Sequence, residues 1–305
     1  MLKSFMMRQL LYLSGLFGVS LLGAYVLAPA AEAQTALRIN YDTSSFENVE
    51  LTAGDVAVRV SYAKDRELRD TEDNLSYQLI YRGEVQETVE TFAWTFAEFE
   101  LRDLDSDGRE EVIVRNYSGG AHCCTNTTIY NWTETGFAAT ETGFIDGLGA
   151  RLADVNDDGQ TEVVIPHQGF LYRFGSYAES YPPDMIFTYQ AGELTEVTRE
   201  FSDHIRQQAE AIKETFFEVQ ASYDITSNAL LASYVAQQAV LDEDFDRAWQ
   251  FMVDHYNREL TWGLEIYEDG EQVGAHPDFP TALRAFLIEA GYLGEDGLPR
   301  DRASS

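Results

Sequence analysis

An α+β fold is predicted, in which a β-rich N-terminal domain of antiparallel sheets precedes a smaller, mainly α-helical C-terminal domain. Three observations predict it. Short alternating or β-branched runs bounded by Gly-containing turns fill the chain to about residue 200. After Ser202 the apolar period changes to that of helices, with N-cap and Pro signals at the starts of segments. Finally, two acidic nine-residue stretches, starting at Asp103 and Asp154, each run straight into an apolar β-branched segment.

The amino terminus carries Lys3 and Arg8, then an apolar run from Leu10 to about Ala30, then Ala31-Glu32-Ala33. That order is an export signal with a small-x-small cleavage site, so residues 1–33 are expected to be removed. An uncleaved anchor is the alternative, because about 20 apolar residues can span a bilayer. No cysteine follows the run, which argues against a lipid anchor, and no later apolar stretch approaches its length. The mature chain is therefore expected to be periplasmic or secreted, without stable membrane insertion.

Residues 34–200 read as the β-rich domain. Val56–Val60, Leu75–Ile80, Ile186–Tyr189 and Leu194–Val197 are strand-like, and Arg82-Gly83-Glu84 and Ala191-Gly192-Glu193 supply hairpin turns. Residues 201–293 read as the helical domain. Ile205, Ala209, Ile212 and Phe216 share one helical face; Leu230, Leu231, Tyr234 and Val235 form a second amphipathic stretch after Ser227, the expected N-cap. A third helix after Asp242 carries a stripe of Phe245, Trp249, Met252 and Tyr256, which reads as core. Asp269-Gly270 centres a hairpin over Leu264–Val273, and Pro280 opens a last helix ending at Gly291. Residues 294–305 are expected to be a loose tail.

The acidic stretches are Asp103-Leu-Asp105-Ser-Asp107-Gly108-Arg-Glu-Glu111 and Asp154-Val-Asn156-Asp-Asp158-Gly159-Gln-Thr-Glu162. Acids or amides at positions 1, 3 and 5 of a tight loop turn their oxygens to one centre, and glycine at position 6 permits the bend. A hard cation taking six to eight oxygens suits such a loop. Calcium is favoured over magnesium, which keeps its waters and wants strict octahedral geometry, and over zinc, which wants nitrogen or sulfur. Position 12 is Val114 in one loop and Ile165 in the other, so neither is an EF-hand. The last ligand is instead position 9, at the mouth of a strand. A metal-free Asx-type turn is the alternative for either loop alone, but two loops with the same ligand positions, glycine and following strand favour a metal.

These residues resemble the FG-GAP or VCBS-type repeats of integrin-like β-propellers, over roughly residues 90–170. The resemblance implies propeller-blade-like sheets and calcium ligation by Asp103, Asp105, Asp107 and Glu111, and by Asp154, Asn156, Asp158 and Glu162, with Arg109 and Gln160 offering backbone carbonyls. Two departures stand out: Glu occupies position 9 in place of the commoner Asp, and two loops are too few for a full propeller. A closed ring is not expected.

Cys123 and Cys124 are the only cysteines, and they lie in Ser118-Gly-Gly-Ala-His122-Cys-Cys124. Export invites a disulfide. The alternatives are a vicinal bond or inert pair, an intermolecular or redox role, or a soft-metal site shared with His122. The segment is similar to ones beside such loops in exported bacterial proteins, a likeness that implies no activity. His255 and Glu259 stand at helical i, i+4 spacing but lack the second histidine of a zinc motif.

The formal charge of −31, from 52 acidic and 21 basic residues, disfavours nucleic acid and anionic membrane as partners. Elbow, Walker and dinucleotide motifs are absent from the sequence. The expected function is therefore an exported calcium-binding β-repeat protein acting as a binding or surface-interaction module toward a protein or glycan of the cell envelope, with no catalytic residue assigned. The alternatives are an exported hydrolase with a cation-shaped site and a redox or metal-handling protein centred on His122, Cys123 and Cys124.

Overall fold

Strand order follows chain order through most of the β-rich part, as expected where short turns join antiparallel neighbours. The computed structural model describes residues 35–64, 73–147 and 149–300; the expected signal segment and residues 301–305 lie outside them. β1 (Ala36–Ile39) precedes β2 (Phe46–Ala53), β3 (Val56–Tyr62), β4 (Leu75–Tyr81) and β5 (Glu84–Thr91), and the last four form one up-and-down sheet. A second meander joins β6 (Ala97–Arg102), β7 (Glu111–Tyr117), β8 (Thr125–Thr133) and β9 (Gly136–Ile145), with β1 added beside β6. A third joins β10 (Arg151–Ala153), β11 (Glu162–Pro166), β12 (Asp184–Gln190) and β13 (Glu193–Glu196). Arg82-Gly83 and Ala191-Gly192 both have positive φ, the geometry of tight hairpin turns.

The sheets stack in layers, and the apolar run of each central strand is the cause. In β7, Val112 and Val114 face the first sheet and pack with Val58, Leu79 and Phe99, while Ile113 faces the other way. Ile113 meets Ile129, Val163, Ile165 and Tyr189 between the second and third sheets. In β11 the alternation repeats: Val164 points with Ile186 into the core formed by the helices. Glu111-Val-Ile-Val114 and Glu162-Val-Val-Ile165 are thus buried on both faces, which is why they read as continuous apolar runs.

Helices α1 (Ser202–Tyr223), α2 (Asn228–Leu241), α3 (Phe245–His255) and α4 (Phe279–Glu289) cover the far side of the third sheet. α1 buries Ile205, Ala209, Ile212 and Phe216, the face its spacing predicts. Ser227 caps α2 by accepting from the Leu230 N–H at 3.3 Å, and Asp278 caps α4 by accepting from the Thr281 N–H at 2.9 Å. The hairpin of β14 (Glu265–Glu268) and β15 (Glu271–Ala275) turns at Asp269-Gly270.

Several expectations are corrected. The boundary near residue 200 is not a break in packing, because Val164, Phe170, Phe174 and Ile186 share one core with α1–α4. α2 is not amphipathic but buried all round, since the third sheet and the other helices enclose it and its alanines admit close approach. Residues 294–300 of the expected loose tail fold back, with Leu293 bridged to Pro299 and Arg284 donating to the Gly297 carbonyl at 2.9 Å. α3 ends at His255, so His255 and Glu259 share no helical face; the imidazole stacks near Phe251 and its Nδ1 lies 2.8 Å from the Phe251 carbonyl.

Candidate functional site

Each acidic stretch joins the first and second strands of its meander, linking β6 to β7 and β10 to β11. Position 4 is left-handed in both (Ser106 φ +59°, Asp157 φ +60°), and so is the glycine at position 6 (Gly108 φ +84°, Gly159 φ +89°). These turns direct the backbone amides at the acids. The Gly108 N–H donates to Asp103 Oδ2 at 3.0 Å and Gly159 N–H to Asp154 Oδ2 at 2.8 Å. Asp105 and Asn156 accept from the position-5 N–H at 3.2 Å in each loop. Asp107 and Asp158 accept from the N–H of Arg109 and Gln160 at 2.8 Å in each. Glu111 and Glu162 reach back from the strand mouths to the N–H of Leu104 (2.8 Å) and Val155 (2.9 Å).

The loops differ in two contacts. Asp154 Oδ1 accepts the Asp158 N–H at 3.0 Å, and Asn156 donates its amide to Asp158 at 3.0 Å, so the second loop satisfies itself. In the first loop Asp103 Oδ1 is buried with no hydrogen-bond partner. Asp103, Asp105 and Glu111 each offer an oxygen within 4.8 Å of the others. A calcium ion with bonds of roughly 2.3–2.6 Å bridges ligands at such separations, so the first loop's donor set fits it. Asp105 is braced from the third sheet by the Ala191 N–H at 3.0 Å.

Electrostatics point the same way. Glu111 is 3% exposed, and burial, followed by the charges of Asp105, Asp103 and Asp107, pushes its carboxyl up to about 8 against the lowering effect of the Leu104 N–H. Burial likewise raises Glu162, which is 2% exposed. A carboxylate pressed among three others needs a proton or a cation beside it.

A second cluster surrounds the cysteines, which are bonded to each other. His122 Nδ1 lies 3.0 Å from Asp146 Oδ2, and its Nε2 lies 2.9 Å from the Tyr172 hydroxyl. The Tyr177 ring stacks on the imidazole with centroids 4.0 Å apart, and its hydroxyl reaches Asp146 at 3.4 Å. Tyr172 is left-handed (φ +59°), a conformation that costs on the order of 1–3 kcal/mol in a bulky residue. The Trp262 indole N–H holds its carbonyl at 2.8 Å. Gly120 has φ +151°, and a Cβ there would stand 2.4 Å from the Cys123 carbonyl, so only glycine fits. Asp146, Tyr172 and Tyr177 are not legible as partners of His122 in the sequence, because they lie 24 to 55 positions from it with no motif to mark them.

The chain is 31% identical over 284 residues to the probable thylakoid lumen protein sll0997 of Synechocystis sp., a match covering 85% of this chain and 83% of that protein. The chain belongs to the sll0997 family. Residues 205–291, from α1 through α4, match the sll0997 C-terminal domain. Protein y4bJ of Sinorhizobium fredii, uncharacterized by its name, is 31% identical over 212 residues, covering 65% of this chain and 32% of that protein. No solved structure matches the chain.

Proposed function

We propose that the chain is an extracytoplasmic β-repeat protein held by calcium and serving as a binding or surface-interaction module toward a protein or glycan of the cell envelope. The observation that carries the reading is the first loop, where Asp103 keeps a buried, unpartnered Oδ1 and offers an oxygen within 4.8 Å of oxygens of Asp105 and Glu111. The export signal and a relative named as a thylakoid lumen protein support an extracytoplasmic compartment, where free calcium fills loops too weak for the cytosol. The FG-GAP or VCBS likeness is supported by three successive meanders, two of which carry the same loop at the same corner. The first turns instead at Ala53-Gly54-Asp55, and the helices cap the stack beyond the third. Calcium would be held by Asp103, Asp105, Asp107 and Glu111 and, more weakly, by the self-satisfied second loop. Its charge would relieve repulsion in a chain of formal charge −31.

Calorimetric titration of the chelator-stripped mature chain with calcium and magnesium tests this. Calcium should bind, raise the melting temperature and outcompete magnesium. Asp105→Ala should remove the tighter site, while Asn156→Ala should leave it intact. No heat and no rise in melting temperature at millimolar calcium would overturn the reading. Capture from an envelope extract with and without chelator then examines the interaction role.

A further inference from the structure

The cysteine pair has features that a structural staple does not need. A disulfide stabilises mainly by closing a loop in the unfolded chain, and one between adjacent residues closes almost none. The backbone around it is already fixed without sulfur: the Cys124 carbonyl accepts from Ser118 N–H (3.0 Å) and Oγ–H (2.9 Å), and the His122 carbonyl accepts from Gly147 N–H (2.8 Å). The Tyr117 hydroxyl holds the Gly120 carbonyl at 2.8 Å. Opening the bond therefore need not unfold the segment. Cys123 is exposed, whereas Cys124 is 9% exposed, so an incoming thiolate reaches the Cys123 sulfur first.

The neighbouring side chains form a proton path. The Asp146 carboxylate, itself 9% exposed, only accepts, so neutral His122 carries its proton on Nδ1 and its Nε2 accepts from the Tyr172 O–H. Tyr172 is half exposed, so the path runs from solvent to the residue preceding Cys123. A histidine oriented by a buried carboxylate is the arrangement that takes and returns a proton during thiol chemistry.

We infer that the Cys123–Cys124 disulfide is redox-active, reduced and re-formed by exchange with a dithiol, with Asp146, His122 and Tyr172 carrying the proton. The dithiol's first thiol loses its proton to His122 through Tyr172 and attacks Cys123 Sγ. The S–S bond breaks, and Cys124 leaves with the electron pair and takes that proton. The dithiol's second thiolate attacks its own sulfur in the mixed disulfide, and Cys123 leaves as a thiolate and takes the second proton. The pair gains two electrons and two protons, and the dithiol becomes a cyclic disulfide. The inference does not depend on the calcium reading.

The test is alkylation and mass measurement of the native, calcium-saturated mature chain during incubation with dithiothreitol at pH 7. The wild type should yield two thiols with unchanged circular dichroism and re-form the bond after the reductant is removed. His122→Gln should slow reduction by roughly 100-fold. Tyr172→Phe, which keeps the ring and removes only the hydroxyl, should slow it as well. A disulfide inert to excess dithiothreitol in the folded protein would overturn the proposal. So would wild-type rates in Tyr172→Phe, a variant that decides the matter even where His122→Gln does not fold.

Discussion

At the scale of single residues, burial decides what ionisable groups can do. His167 follows β11 with its ring edge-on to Phe170 (5.3 Å between centroids) and near Tyr292 (5.7 Å), and its Nδ1 is buried without a partner. Burial lowers its pKa below the usual histidine value, opposed by a backbone hydrogen bond and by the charge of Glu196. The sign follows: the unfolded chain binds a proton below about pH 6.5 that the folded chain resists, so stability is present above that pH and is lost as the pH falls. His167→Phe should flatten this dependence, and unfolding free energies of both chains at pH 7.5 and 5.5 measure it. An equal acid sensitivity in the two chains would assign the effect to other groups. Glu111 shows the converse case, a buried acid pushed up by burial and by the charges of the neighbouring aspartates.

At the scale of elements, α2 is the one whose sequence and surroundings conflict most. Thirteen of its residues are buried. Among them Gln237 is wholly buried with neither its amide nitrogen nor its oxygen partnered. An unsatisfied buried amide costs on the order of 1–3 kcal/mol. Gln237→Leu, close in volume, should therefore stabilise the protein by about 1–2 kcal/mol in denaturant unfolding. A loss of stability would mean that the amide has a partner in solution. The apolar stretches Val112–Val114 of β7 and Val163–Ile165 of β11 carry no such conflict, because Val and Ile bury both strand faces there.

At the scale of the whole molecule, layers that share side chains should unfold together. Val112 and Val114 pack against one sheet and Ile113 against another; Val163 and Val164 do the same one layer on. Heating should give one calorimetric transition for the mature chain. Ile113→Ala, which empties a site between the second and third sheets, should shift it down as a unit by about 2–4 kcal/mol. Two separated transitions would restore a domain boundary near residue 200.

The sequence by itself determined the elements and the loops. Val56–Val60 and Leu75–Ile80 alternate because one face is covered more than the other, Ile205 to Phe216 repeat at the helical period, and Asp103 and Asp154 open loops whose turns are set by local Ser, Asp and Gly conformations. These are short-range properties, fixed by a few neighbouring φ values and by side-chain spacing. Only the folded structure decided which loop keeps an unpartnered carboxylate oxygen, since Asp154 and Asp103 occupy the same position and the position-5 N–H of the same loop reaches Oδ1 only at Asp154. It also joined the third sheet to the helices and brought Asp146 and Tyr172 to His122. Those partners come from β9's exit and from the segment after β11, and chain packing, not local pattern, sets the distance between them.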